Sequence, residues 1–330
     1  MKRRTVLAGI AATLAPRVLT AQTPLRDGPR ILGVLMGNLA GDPVGEAYSA
    51  ALMQGLGALG WRNGANLRAD WRWTGGDPAL FDRYAAELVA LGPDVLLAQS
   101  SPSVVALRRL SNTIPIVFTM VTDPVGQGFV DSLAHPSGNV TGFSDFNALM
   151  ASKWLEMLAE VTPSVARVAV LYNPATAPFA GLMMRAVEAA APSFGITVQA
   201  APCRDVADIA AVTAELAQKE RGGLLVLTDI FAIVHRDAIL SSAAEHRLPA
   251  VYFTRSFTAA GGLMSYGIDY ADLFLRSAAY VDRILKGTSP RDLPVQQPTK
   301  FELAINLRTA KARGINLSTT LLATADEVIE

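Results

Sequence analysis

Three serines, Ser100, Ser101 and Ser103, sit in the stretch QSSPSVVAL, where an apolar run turns into a helix. Ser101 can cap a helix whose first position is Pro102. The free backbone N–H groups and the positive dipole end of such a helix favour an anion such as a carboxylate, and the hydroxyls can add donors. The plain alternative is a capped helix with no ligand. Asp229 follows the apolar run GGLLVL and could receive an ammonium, or simply cap a helix of its own. Asn173, before Pro174, has the same two readings. Asp123, before Pro124, is either a site residue or a turn former. Arg255 could grip a carboxylate with both arms of its guanidinium, or sit in solvent. Tyr266, closing GGLMSY, could pack on a ligand or on the core.

The inventory offers little for catalysis. His135 precedes a proline in a loop. His235 and His246 fall near opposite ends of one expected helix, without the i, i+4 spacing of a helical metal pair. There is no G-x-S-x-G elbow and no phosphate loop ending in GK[ST]. The lone Cys203 can form neither an internal disulfide nor a multi-cysteine metal site. No cofactor, metal or catalytic residue is expected. Gly55–Gly60, GLGALG, fits the dinucleotide pattern G-x-G-x-x-G by letter. It lies well after the strand expected at 31–36, inside a helix already under way, and Gly60 suits the position that ends that helix.

The elements that must position these residues come in two matched sets. Short β-branched runs alternate with longer stretches of helical period. In the first half, strands are expected at 31–36, 67–73, 94–98 and 114–118, with helices at 48–59, 79–91 and 103–110. The second half repeats the order: strands at 168–172, 196–200, 223–227 and 250–253, with helices at 179–194, 206–218 and 233–246. RILGVLM pairs with RVAVLYN, PDVLLAQS with GGLLVLTD, and NTIPIVFTM with HRLPAVYFT. GNVTGFSDFN, between the halves, reads as a linker. A strand at 262–266, a helix at 271–285, a Pro-rich stretch, a strand at 301–306 and a short helix ending at Gly314 follow.

The expected fold class is therefore α/β, two Rossmann-like lobes with parallel sheets, joined by three crossings that make a hinge. The expected division is 30–142 plus 260–288 for the N-terminal lobe and 148–256 plus 292–330 for the C-terminal lobe. Ligands of open parallel sheets bind beyond the carboxyl ends of the strands. A cleft between the lobes would draw Met36, Gly37, Ser100, Ser101, Ser103, Met120 and Asp123 from the first. Asn173, Thr176, Asp229, Phe231, Arg255 and Tyr266 would come from the strand ends that follow.

Residues 1–21 read as an export signal: Lys2, Arg3 and Arg4, then an apolar Thr5–Ala15 too short to span a membrane, with Ala21 at the cleavage point. Arg3-Arg4-Thr5-Val6-Leu7 leaves Sec and Tat export both open. Without those residues the chain has 25 basic and 29 acidic residues, a charge of about −4. With no basic stripe, that composition argues against nucleic acid as a partner. The expectation is a free monomer in the periplasm.

The chain resembles the ABC-transporter substrate-binding proteins of the tryptophan/phenylalanine-binding type. The resemblance rests on ADWRWTGGDPALFDRYAAELVALGPDVLLA, TIPIVFTMVTDPVGQGFVDSLAHPSGNVTGFS, KWLEMLAEVTPSVARVAVLYNPATAP, EHRLPAVYFTRSFTAAGGLMSYGIDY and the segment from Tyr280 to Ile315, and covers roughly 30–330. It implies the type I periplasmic-binding architecture and a receptor that closes on a small polar or amino-acid-like solute, an aromatic amino acid among the candidates, for delivery to an inner-membrane permease. It further implies that Asp229 suits the ligand amine and that Ser100 and Ser101 suit its carboxylate. A sensor handing its ligand to a membrane kinase or chemoreceptor is the alternative function. An enzyme on the same scaffold would need a cofactor site or an activated nucleophile.

Overall fold

The computed structural model describes residues 28–330; the expected export signal lies outside them. The first lobe runs β1 (Arg30–Met36), α1 (Pro43–Ala58), β2 (Leu67–Trp73), α2 (Pro78–Ala90), β3 (Val95–Gln99), α3 (Ser100–Leu110), β4 (Ile116–Val121) and β5 (Val140–Ser144). Its five strands are parallel in the order β2-β1-β3-β4-β5. The chain then builds α4 (Met150–Val161), β6 (Arg167–Tyr172), α5 (Ala180–Ala190), β7 (Thr197–Pro202), α6 (Val206–Ala217), β8 (Gly222–Val226), α7 (Ile230–Val234), α8 (Arg236–Glu245), β9 (Ala250–Tyr252), α9 (Arg255–Ala259) and β10 (Met264–Gly267). α10 (Tyr270–Leu285) follows, then β11 (Glu302–Asn306), α11 (Leu307–Ala312), α12 (Thr319–Thr324) and β12 (Glu327–Ile329). The second sheet has the order β12-β11-β10-β9-β8-β6-β7, with only the β10–β11 pair antiparallel. β1, β3, β4, β6, β8 and β9 are almost wholly buried, as strands covered by helices on both faces must be.

Chain crossings join the lobes. Residues 145–149 lead from β5 to α4. β10 stays in the second sheet, beside β9, rather than joining the first lobe as the division at 260 expected. Only after 268–269 does the chain return, to lay α10 along α1. Its way back runs beside β5, where Thr141 Oγ1 donates to Leu293 O (2.5 Å) and Ser144 N to Gln296 O (2.9 Å).

The stretch read as a linker contains β5. Gly142 explains both its glycine and its disguise: it has φ 156°, and a Cβ there would lie 2.1 Å from Phe118 O and 2.6 Å from Phe118 N. Only a residue without a side chain can pair that closely with β4. The helix expected at 233–246 is two helices, α7 and α8, with His235 between them. Its ring lies 4.5 Å from that of Phe231, and burial holds its pKa below the usual imidazole value. α1 begins five residues before the expected 48, because Asp42 caps it by accepting from Gly45 N (3.0 Å) and Pro43 takes its first position.

GLGALG is the tail of α1. A Cβ on Gly55 would sit 2.7 Å from Leu275 O and from Ala278 Cβ, so this glycine lets α1 and α10 touch backbone to side chain. Gly60, at φ 92°, follows the cap residue Leu59 and turns the chain out of the helix.

Candidate functional site

The carboxyl ends of β3 and β4 meet those of β6 and β8 across an enclosed cavity of about 20 Å³. The first lobe supplies Ser100, Ser101, Met120 and Thr122, the first crossing supplies Asp145, and the second lobe supplies Thr176, Phe179, Thr228, Asp229, Ile230 and Ile233. A space of that size holds about one water, far below the roughly 300–1,000 Å³ of small-molecule sites. Ile233 also borders a second cavity of about 310 Å³, where Leu39–Asp42 face Val234, Arg236 and Asp237; it is the outer mouth of the same cleft.

The first-lobe wall is strained. Ser100 (φ 75°), Met120 (φ 56°) and Asp123 (φ 45°) all occupy the left-handed region that non-glycine residues avoid. α3 begins at Ser100, with Gln99 preceding it, so Ser101 lies within the first turn and is not the cap; no side chain caps these N–H groups. Ser100 Oγ is buried without a partner, and Ser101 Oγ accepts from Gln127 Nε2 (2.9 Å). Gln99, unnoticed in the sequence, organises the wall. Its Oε1 accepts from Gly37 N (2.8 Å), and its Nε2 donates to Asn38 Oδ1 (2.7 Å) and to Met120 Sδ (3.2 Å).

Two carboxylates line the cavity, and no Lys, Arg or His does. Asp229 caps α7 by accepting from Phe231 N (3.1 Å) and also accepts from Thr176 Oγ1 (2.6 Å) and Asn173 N (2.7 Å). Asp145 accepts from Thr122 Oγ1 (2.8 Å) and Phe146 N (2.5 Å) on one oxygen. The other oxygen lies 3.3 Å from Thr228 Oγ1 and 3.5 Å from Tyr270 OH. Burial pushes both carboxyls up to about 6, against the hydrogen bonds that pull them down.

Sequence reasoning missed Asp145. It is buried beside Phe146, around which the rings of Trp154, Tyr270 and Phe301 gather from separate segments. The one local signal was a charged residue flanked by Phe143 and Phe146.

Other expected site residues lie outside the inner cavity. Gly37 is at the lobe contact: a Cβ there would meet Ile230 Cγ1 at 2.4 Å. Met36 is buried at the end of β1, and Ser103 Oγ ties α3 to Leu35 O (3.4 Å). Asp123 Oδ1 accepts from Gly126 N (3.0 Å), the turn-forming role. Asn173 Oδ1 accepts from Ala175 N (2.8 Å), and Phe231 packs on His235. Arg255 does not face the cavity: it is exposed and paired with Glu327 on β12, because α9 projects it past the sheet edge. Tyr266 stacks on Phe301 with ring centroids 5.7 Å apart.

A larger groove of about 520 Å³ lies at the opposite pole of the second lobe, lined by Arg221, Arg247 and Arg313 among others. α4, α6, α8 and α11 all end there, and the negative ends of their dipoles account for the cations. Among the described residues, no group of His, Cys, Asp or Glu could hold a metal ion, and no helix is long and apolar enough to cross a membrane.

Two parallel-sheet lobes, joined by repeated crossings and facing each other strand-end to strand-end, define a two-lobed solute-binding protein. The family described as ABC transporter substrate binding protein matches residues 39–329, and the chain belongs to it. A tyrosine-binding protein of Clostridioides difficile is 27% identical over 286 residues, 87% of this chain and 82% of that protein. The crystal structure of an ABC domain in complex with L-Trp, from Streptococcus pneumonia, is 25% identical with a TM-score of 0.84, covering 92% of this chain and all of that one. A conserved domain protein of Vibrio cholerae is 31% identical with a TM-score of 0.83, covering 91% and 99%. The fold is that of the type I periplasmic-binding proteins. The family binds solutes and is not catalytic, and membership implies a small-molecule ligand and an ABC permease as partners.

Proposed function

We propose that the chain is the solute-binding component of an ABC importer and takes up an amino acid by closing its lobes around it. One observation carries this reading. An enclosed space between the lobes holds buried carboxylates without a cation, opposite an uncapped helix start with an unpartnered Ser100 hydroxyl. An α-amino acid offers the complementary pair, an ammonium for the carboxylates and a carboxylate for the helix start. Phe179, Ile230, Ile233 and Met120 add apolar surface for a side chain, in keeping with the tyrosine and L-Trp in the names of two relatives. The chain acts in the periplasm as a monomer that delivers to an inner-membrane permease and has no nucleic-acid partner.

A thermal-shift screen over the amino acids and small organic acids tests it. A ligand at about one hundred times its Kd stabilises by about 2.7 kcal/mol, a shift of several degrees. If organic acids stabilise the protein and no amino acid does, the reading is wrong.

A further inference from the structure

The two cavity carboxylates differ in what they have left to offer. Asp229 accepts three hydrogen bonds of ordinary length, from Thr176 Oγ1 (2.6 Å) and Phe231 N (3.1 Å) on one oxygen and Asn173 N (2.7 Å) on the other. Those donors belong to the second lobe alone, so Asp229 is committed to holding the β6 and β8 loops together. Asp145 takes two bonds on Oδ1, but its Oδ2 meets only hydroxyls at the outer limit of hydrogen bonding, Thr228 Oγ1 at 3.3 Å and Tyr270 OH at 3.5 Å. Those two hydroxyls lie 3.2 Å from each other, so one can donate to the other, which leaves a single hydroxyl proton for Asp145 Oδ2. A carboxylate oxygen bonded to a charged donor accepts at roughly 2.7–2.9 Å. Asp145 Oδ2 therefore accepts one long hydroxyl bond and keeps a second lone pair open, in a cavity with no cation to fill it.

We propose that Asp145, not Asp229, accepts the ammonium group of the bound amino acid, with Thr228 Oγ1 as its second acceptor. This rests on the amino-acid reading above and names the residue that sets its specificity. Burial without a counter-charge raises both the Asp145 and the Asp229 carboxyl, so the choice between them rests on their hydrogen bonds. Placement gives the contact a further consequence. Asp145 lies on the first crossing and is held by Thr122 at the end of β4, while Thr228 ends β8 and Tyr270 opens α10 after the second crossing. An ammonium held between Asp145 and Thr228 ties the two lobes together where the chain passes between them.

The test pairs each ligand with its counterpart lacking only the amine: L-tryptophan with indole-3-propionate, and L-tyrosine with 3-(4-hydroxyphenyl)propionate, titrated calorimetrically. Wild type should prefer the amine-bearing member by on the order of a hundredfold or more. In Asp145→Asn that preference should collapse to a few-fold, with binding of the amine-free acid retained as the sign of an intact fold. In Asp229→Asn both ligands should weaken together and the preference should survive. Thr228→Val, which leaves the carboxylate in place, should cut the preference about tenfold and decides the matter if Asp145→Asn does not fold. An undiminished preference in Asp145→Asn, or in Thr228→Val where that variant decides, overturns the assignment, as does a collapse in Asp229→Asn. A wild type that binds neither of these amino acids, nor any other in the thermal screen, overturns the amino-acid reading itself.

Discussion

Gly37→Ala is the smallest change that should separate closure from folding. The added methyl would sit 2.4 Å from Ile230 Cγ1, 2.8 Å from Cδ1 and 3.4 Å from Cβ. All three atoms belong to one second-lobe side chain, and none belongs to the first lobe. With the lobes apart the three nearest atoms are gone; with the lobes together the methyl overlaps a Cγ1 that can leave only by a change of χ1 in a packed contact. Forcing a methyl into a packed contact costs about 1–3 kcal/mol, and here the cost falls only on the closed form. Ligand affinity should therefore drop by about 5- to 150-fold, while the unliganded protein keeps its unfolding free energy within about 0.5 kcal/mol of wild type. Isothermal titration with the amino acid that wild type binds reads the first quantity, and urea unfolding without ligand the second. Adding Ile230→Ala removes both Cγ1 and Cδ1 and should restore part of the lost affinity. If Gly37→Ala binds as wild type does, or loses ligand and stability in equal measure, the lobe contact is not the element that ligand binding closes.

Three further outcomes are expected. Asp145 and Asp229 both have carboxyl pKa values raised to about 6, first by burial, so the folded state holds protons that the unfolded chain releases near 4. Their contribution to stability is complete below about 4 and is lost as pH rises through 6, roughly 3 kcal/mol for each group. Unliganded Tm should fall over that window, less so in Asp145→Asn, and a flat profile contradicts the burial argument. An ammonium ligand favours the ionised form, so its affinity should decline as pH drops below 6; the groups facing Asp145 there are Thr122, Thr228 and Tyr270, with Asp229 in the same cavity. Asp229→Ala removes a helix cap and strands the Asn173 N–H and the Thr176 hydroxyl, and should cost about 2–3 kcal/mol in urea unfolding; a loss under 0.5 kcal/mol would show those bonds to be idle. Arg255→Ala breaks an exposed pair with Glu327, worth about 0–1 kcal/mol, and should leave ligand affinity unchanged; a tenfold loss would restore Arg255 to the site.

The sequence made the central strands legible because burial on both faces leaves a continuous apolar run such as VLLA in β3 or LLV in β8. It hid β5 because the close approach of β4 demands Gly142, and a glycine among Asn and Ser looks like a linker. It hid the true place of β10 for a different reason: a strand's own residues do not say which sheet it joins. The site was legible in proportion to how local its causes are. Ser100, Ser101 and Asp229 announce themselves by following a strand and opening a helix. Asp145 is buried next to Phe146, on which rings from residues 154, 270 and 301 converge, and only the assembled hinge brings these together. Arg255 was drawn to the site by position alone, while its partner lies 72 residues further on, at Glu327.

The most direct measurement is a crystal structure of the chain with the amino acid that the thermal screen selects. The account predicts that ligand between the lobes, its ammonium within hydrogen-bond distance of Asp145 Oδ2 and Thr228 Oγ1, and its carboxylate at the first turn of α3 beside Ser100. Density for the ligand outside the cleft, or within it with the amine on Asp229 and Asp145 untouched, would contradict it.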